Sequence, residues 1–243
     1  MLDFIELLKV IFLGIVEGIT EWLPISSTGH MLLVDEFLQL NANDAFKKMF
    51  FVVIQLGAIL AVVVLFWHKM LPFQLQDRKK PFWKKDTLSL WLKVVVACIP
   101  GAAVTLLFDD VIEAHLHTPV VIACALILYG IAFLLVEDWN KARRPRIRSL
   151  SEITYQTALI IGVSRVAAAE FTFFLAVPVM FGMSALKLLK FGFAFTGAEL
   201  VTLLAGMAVA FLVSLAVIKF LMNYIRKHDF KAFGWYRIAL GAL

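Results

Sequence analysis

The chain has 243 residues, 62% of them apolar and 17% charged, with a mean hydropathy of +0.89, whereas soluble domains average about 45–50% apolar and about 25% charged. That excludes a soluble enzyme with a polar coat, a disordered chain and a nucleic-acid-binding domain. The net charge of +5, from 23 basic and 18 acidic residues, lies in short clusters between apolar runs, the pattern of a polytopic membrane protein.

Met1 to Lys9 lacks a basic stretch followed by a small-residue cleavage site, so the chain is expected to be held in the bilayer by its own helices. Phe4–Leu23 is apolar enough to enter the membrane but carries Glu6, Glu17 and Glu21 and then meets Pro24, which disfavours helix at the residue before it. With Met31–Leu38 this segment is expected to dip in and return on one side. Met49–Phe66 is free of charge and long enough to span. The basic cluster Lys69, Arg78, Lys79, Lys80, Lys84 and Lys85 follows. Leu88–Phe108 is the next span, with Pro100 a kink candidate, and the acidic Asp109–Thr118 reads as an external loop. Thr118–Val136 spans again and leads to Lys141, Arg143, Arg144, Arg146 and Arg148.

Ile153–Arg165 is a second stretch that fits no simple span. Phe171–Leu186 extends back toward Ala167 if Glu170 faces the protein interior, and Leu200–Ile218 is charge-free before Arg226, Lys227 and Lys231. The run from Trp235 reaches Leu243, too few residues to cross. The bias of Lys and Arg toward the cytoplasm places all three basic clusters there. Two dipping stretches, each before a strong span, predict an all-α membrane fold of two halves with opposite orientation. The halves are residues 1–108 and 119–243 of one membrane domain.

The chemistry-bearing run is Glu17-Gly-Ile-Thr-Glu21-Trp-Leu-Pro24-Ile-Ser26-Ser27-Thr28-Gly29-His30. On a helix Glu17 and Glu21 share a face, and Gly14 and Gly18 admit a close-packed neighbour. Ser26, Ser27 and Thr28 suit the cap of a second helix, whose free N–H groups make a phosphate site, with His30 in its first turn. Carboxylates in a bilayer are costly and functional by default. This pair could hold a divalent cation through oxygen or share a proton and act as acid or base. The alternative is a polar packing cluster that stabilises the hairpin.

Other residues carry weaker signals. Cys98 and Cys124 are expected to pack as small hydrophobes, and Gln55 and Thr105 to bond between helices. Arg165 is expected to pair with Glu170. Trp67 and His68 read as interfacial anchors, and His115 and His117 as surface residues, with weak metal contacts as the alternative.

The run EGITEWLPISSTGH, with VVIQLGAILAVVVLFWHK after it, closely resembles the bacterial undecaprenyl-diphosphate phosphatase family of the bacitracin-resistance type. ACIPGAAVTLLFDD, VSRVAAAEFTFFLAVPVMFGMSALKL and the last-helix start at Tyr236-Arg237 extend the resemblance over nearly the whole chain. It implies a membrane hydrolase that converts a C55 polyprenyl diphosphate to the monophosphate at the outer face of the bacterial plasma membrane. Such activity recycles the lipid carrier for cell-wall synthesis and gives bacitracin resistance. It also implies re-entrant helical hairpins in inverted repeats and about six transmembrane helices. By residue, Glu17 and Glu21 match the acidic pair, expected to bind Mg²⁺ or Ca²⁺; Ser26, Ser27 and Thr28 match the phosphate-binding hydroxyls. Glu17, Glu21, Ser27 and His30 are the catalytic candidates. The expected partners are the lipid substrate and membrane lipids, with a homodimer as the candidate assembly. A lipid flippase and a non-catalytic lipid-diphosphate-binding relative are the rival readings.

The resemblance further implies a second motif, P-G-x-S-R-S-G, with a phosphate-binding arginine. In this sequence Ala158–Gly162 runs directly into Val163–Phe171, so the motif and the return arm of the second hairpin have no counterpart, and the last helix is left at Leu243. Half a hairpin would expose polar backbone to lipid, which a bilayer does not tolerate. Ser164-Arg165 matches residues beyond that motif, so Arg165 is not expected to replace its arginine.

Overall fold

The computed structural model describes residues 3–74, 82–116, 118–141, 147, 149–150 and 163–243, and they are overwhelmingly helical. The junction of Gly162 with Val163, most of Ile153–Arg165 and His117 lie outside or at the edge of the described residues. Helix α1 covers Phe4–Thr20, and α2, Ser27–Phe37, packs back on it after a short turn to make the expected hairpin. The helix ends at Thr20, ahead of the expected break at Pro24.

Helices α3 (Asp44–Val53) and α4 (Gln55–Leu65) form one span, interrupted only at Ile54. The Asn43 side chain opens it, accepting from the Phe46 N–H at 2.7 Å. The short turn α5 (Trp67–Met70) follows. Helix α6 runs from Lys85 to Leu116, straight through Pro100. Asp109–Leu116, read above as a loop, therefore continues the helix: it contains neither proline nor glycine to stop one. Helix α7 covers Pro119–Lys141, α8 Arg165–Phe191, α9 Gly197–Lys227 and α10 Lys231–Ala242. Five helical segments among the described residues are long and apolar enough to cross a membrane. Helix α10, at 12 residues and ~1.5 Å of rise per residue, is too short.

The helix starts follow their caps. Ser164 caps α8 through the Ala167 N–H, and Thr196 and Glu199 form a reciprocal capping box at α9. That is why α8 and α9 begin earlier than their apolar runs.

Helix α9 is the central post, buried along Gly206, Ala210, Ser214 and Ile218. Small residues let backbones approach it. A Cβ on Gly14 would lie 2.9 Å from the Gly206 carbonyl oxygen, and one on Gly18 2.8 Å from that of Ala210. Gly57 of α4 sits closer still, at 2.1 Å from the Met207 carbonyl oxygen. Without a hydrophobic drive between helices in lipid, such close packing holds them together. Phe46, Phe50, Leu13 and Ile54 fill one core between these helices, and Phe174, Ile59, Val62 and Ile218 fill another.

Two expectations fail. Cys98 packs beside the core, but Cys124 is exposed on the outer face of α7. Arg165 does not pair with Glu170. Its Nε and a terminal nitrogen donate to the two oxygens of Glu137, at 3.0 and 2.6 Å, while Glu170 accepts from Lys69 at 2.6 Å. Five positions along α8 separate Arg165 from Glu170, more than one turn, so the two point apart. Glu137 on α7 instead offers both oxygens to the guanidinium fork. Arg165→Leu is expected to destabilise the protein by about 2–3 kcal/mol, less than a fully buried pair would lose, because the guanidinium is 38% exposed. Adding Glu137→Gln, whose amide oxygen can still accept from the Phe230 N–H, should restore most of the loss, as denaturant midpoints in detergent would show. An unchanged midpoint for the single variant would mean that the pair contributes nothing.

Candidate active site

The hairpin between α1 and α2 brings the sequence-predicted residues together. Glu17, on the face of α1 that Gly14 and Gly18 press against α9, is 0% exposed. Neither of its carboxyl oxygens receives a hydrogen bond. Glu21, one turn on, is its electrostatic neighbour and accepts a short hydrogen bond from the Ser27 hydroxyl. A carboxylate without donors in a fully buried place is costly. Only a ligand, a shared proton or a bound cation makes such a placement useful.

The turn itself is unusual. Ile25 donates to the Leu23 carbonyl at 2.7 Å, a tight bend around Pro24. Ser26 then takes φ +75°, the one non-glycine residue with positive φ among those described. That conformation costs of order 1–3 kcal/mol and persists where the surroundings enforce it, commonly at functional sites. Here it turns the Ser26 side chain inward to accept from the Gly29 N–H at 3.3 Å and cap α2. Ser27 and Thr28 follow as the first helical residues, Thr28 exposed and Ser27 half-buried against Glu21. The N-terminus of α2 thus stands beside the acidic pair with backbone N–H groups free for an anion.

His30 completes the cluster. Its Nδ1 lies 2.7 Å from the Ser26 carbonyl oxygen and its Nε2 2.8 Å from the hydroxyl of Tyr236 on α10. The Tyr236 contact carries no local signal in the sequence, because it joins residues 206 positions apart. Glu137 was equally silent: an acidic residue at the end of a span reads as a solvated terminus.

The acidic pair fits a hard divalent cation. Glu17 has two unused buried oxygens and Glu21 adds a third acceptor group, oxygen donors of the kind Mg²⁺ and Ca²⁺ take. Among the described residues no group of three or more His, Cys, Asp or Glu side chains could hold a metal. A cation here would draw its other ligands from phosphate oxygens and water, as Mg²⁺ commonly does.

Comparison with known proteins now bears on this geometry. The family model of bacitracin resistance protein BacA matches residues 10–166 and 148–243. An undecaprenyl-diphosphatase from Enterococcus faecalis is 65% identical, covering 100% of this chain and 97% of its own length. Enzymes of the same name from Lachnoclostridium phytofermentans and Desulfitobacterium hafniense are 59% and 56% identical, covering 97% and 95% of those proteins. The alignment with the Enterococcus protein runs over 267 positions against 243 residues here. That relative therefore carries residues with no counterpart in this chain.

Proposed function

The chain belongs to the bacitracin resistance protein BacA family, and on that premise we propose that it is an undecaprenyl-diphosphate phosphatase. It cleaves the phosphoanhydride of the C55 lipid carrier, releasing phosphate and returning the monophosphate to cell-wall synthesis. The observation that carries this reading is the buried, donor-free Glu17 beside a Glu21 that receives the Ser27 hydroxyl at a helix N-terminus.

The α2 N–H groups and the Ser26–Thr28 hydroxyls receive the terminal phosphate. The Ser27 hydroxyl already points its proton at Glu21. Glu21 is therefore placed to take the proton as an oxygen at that position, from Ser27 or from a water beside it, attacks phosphorus. A P–O bond forms, the anhydride P–O bond breaks, and the lipid monophosphate leaves; attack by water gives phosphate directly, whereas attack by Ser27 leaves a phosphoserine whose ester a water then cleaves to release phosphate. Glu17 and Glu21 would hold a divalent cation, which when bound offsets phosphate charge. His30, in the first turn of α2 beside Ser26, is the imidazole next to the phosphate-binding turn and serves as the second proton-exchanging group.

The three basic clusters on the opposite side of the spans support an active site facing outward from a bacterial plasma membrane. Right-side-out vesicles bearing the chain are expected to release phosphate from externally added polyprenyl diphosphate with Mg²⁺, above the level of a Glu21→Gln control. Release only from inverted vesicles would overturn the orientation. Release from neither would overturn the hydrolase.

A further inference from the structure

We propose that Tyr236 is the residue that positions His30, holding the imidazole in one tautomer and one orientation for proton transfer. The inference rests on the role given to His30 above, but its geometry stands apart from that role.

The tautomer follows from the chemistry of the two partners. A backbone carbonyl only accepts, so the contact of 2.7 Å between Nδ1 and the Ser26 carbonyl oxygen requires hydrogen on Nδ1. In the neutral ring Nε2 then carries the lone pair, and the contact of 2.8 Å requires the Tyr236 hydroxyl to donate to it. The two rings also lie parallel, with centroids 5.6 Å apart and planes 4° from each other. Both ring nitrogens of His30 and the tilt of its plane are thus fixed by two residues from opposite ends of the chain.

A phenol suits this position because its oxygen both donates and accepts. When Nε2 gains a proton it takes the phenol's own hydrogen, the phenol oxygen takes its replacement from the reacting group, and the hydroxyl then accepts from Nε2. The contact survives either protonation state, so His30 can take up and release a proton without moving. A phenylalanine could fill the place but could not follow the proton.

Helix α10 is built to hold Tyr236 there. Gly234 lets it lie against α7, where a Cβ on Gly130 would be 2.7 Å from the Gly234 carbonyl oxygen. The Arg237 guanidinium covers the rings of Tyr129 and Phe133 on α7, at 5.4 and 5.6 Å. At the start of the helix the Phe230 N–H donates to Glu137 Oε1 at 3.2 Å, the carboxylate that also grips Arg165, and Lys231 pairs with Asp138. The buried Glu137 therefore ties α10 to both α7 and α8. A helix too short to span is anchored at its base and along its side, and it presents Tyr236 to the hairpin.

The test uses the full chain in lipid nanodiscs with ¹⁵N-labelled histidine, the His30 signals being those lost in His30→Gln. In Tyr236→Phe, which keeps the ring, the unprotonated Nε2 resonance is expected to move downfield while Nδ1 stays protonated and the other four histidines are unchanged. Hydrolysis is expected to fall about tenfold in kcat, the weight of one hydrogen bond, with KM little altered and the pH profile of kcat displaced. Tyr236→Leu, which also removes the flat ring beside the imidazole, should add a second His30 tautomer. His30 signals in Tyr236→Phe that superpose on those of the wild type would overturn the proposal, whatever the rate. A moved resonance with unaltered hydrolysis would uphold the positioning and refute the catalytic role of His30.

Discussion

Glu17→Gln is expected to remove most hydrolysis while raising the melting temperature. Glutamine keeps the shape of the side chain and removes its charge. The Glu17 carboxyl is fully buried and has no donor, so it opposes folding, either as an uncompensated ion with an effective penalty of several kcal/mol or through the cost of taking up a proton. A buried amide without partners costs less, about 1–3 kcal/mol. The difference should appear as a rise of at least about 2 °C, since each kcal/mol shifts a protein of this size by about 2–4 °C. Turnover should drop steeply, because Glu17 is half of the carboxylate pair that would hold the cation, and Glu21→Gln should lose about 10² to 10⁴, the usual weight of a positioned acid or base. A polar packing cluster predicts the reverse pair of results, lower stability with hydrolysis intact. Thermal melts and phosphate release on the same preparation decide between them.

Inserting the P-G-x-S-R-S-G hairpin segment between Gly162 and Val163 is expected to raise kcat by about 10²- to 10³-fold, the weight of one preorganised group at the reacting centre. A lipid diphosphate brings at least two negative charges to a site that already holds Glu17 and Glu21. The α2 N-terminus offsets about half a charge, and a cation only part of the remainder. A guanidinium suits what is left, because it stays charged and grips phosphate through two parallel hydrogen bonds. Arg165 does not supply it: its Nε and one terminal nitrogen, the edge that would grip a phosphate side-on, are committed to Glu137. The inserted segment carries that arginine, and a version with alanine in its place should lose most of the gain. Equal turnover with and without the segment would show that the charge balance argued here is wrong.

The contrast between Glu17 and Arg165 shows how legible the site was. Glu17, Glu21, Ser26, Ser27 and His30 lie within fourteen consecutive residues. Helical spacing, a proline and a run of cap residues fix how so short a segment folds, so its chemistry could be read directly. Arg165 was assigned the acidic residue five positions along its own helix. The acid it bonds is 28 residues away, on α7. An ion pair inside a membrane is settled by which helices become neighbours, and one strand of sequence does not encode that choice locally. Gly14 and Gly18 announced a close contact, but only the assembled helices showed that α9 fills it and that Gly57 meets the same helix.

By itself the sequence determined the solvent, the spans and the local chemistry: charge-free runs long enough for a bilayer, basic clusters between them, and an acidic pair one turn before a helix cap. These follow from the free energy of placing each segment in lipid or water, a property of the segment alone. The tertiary structure decided what those segments face. It buried Glu17 against α9, exposed Cys124 and brought Tyr236 to His30. Each depends on packing between helices distant in the chain, where small residues set how closely backbones approach and paired polar groups set which faces meet.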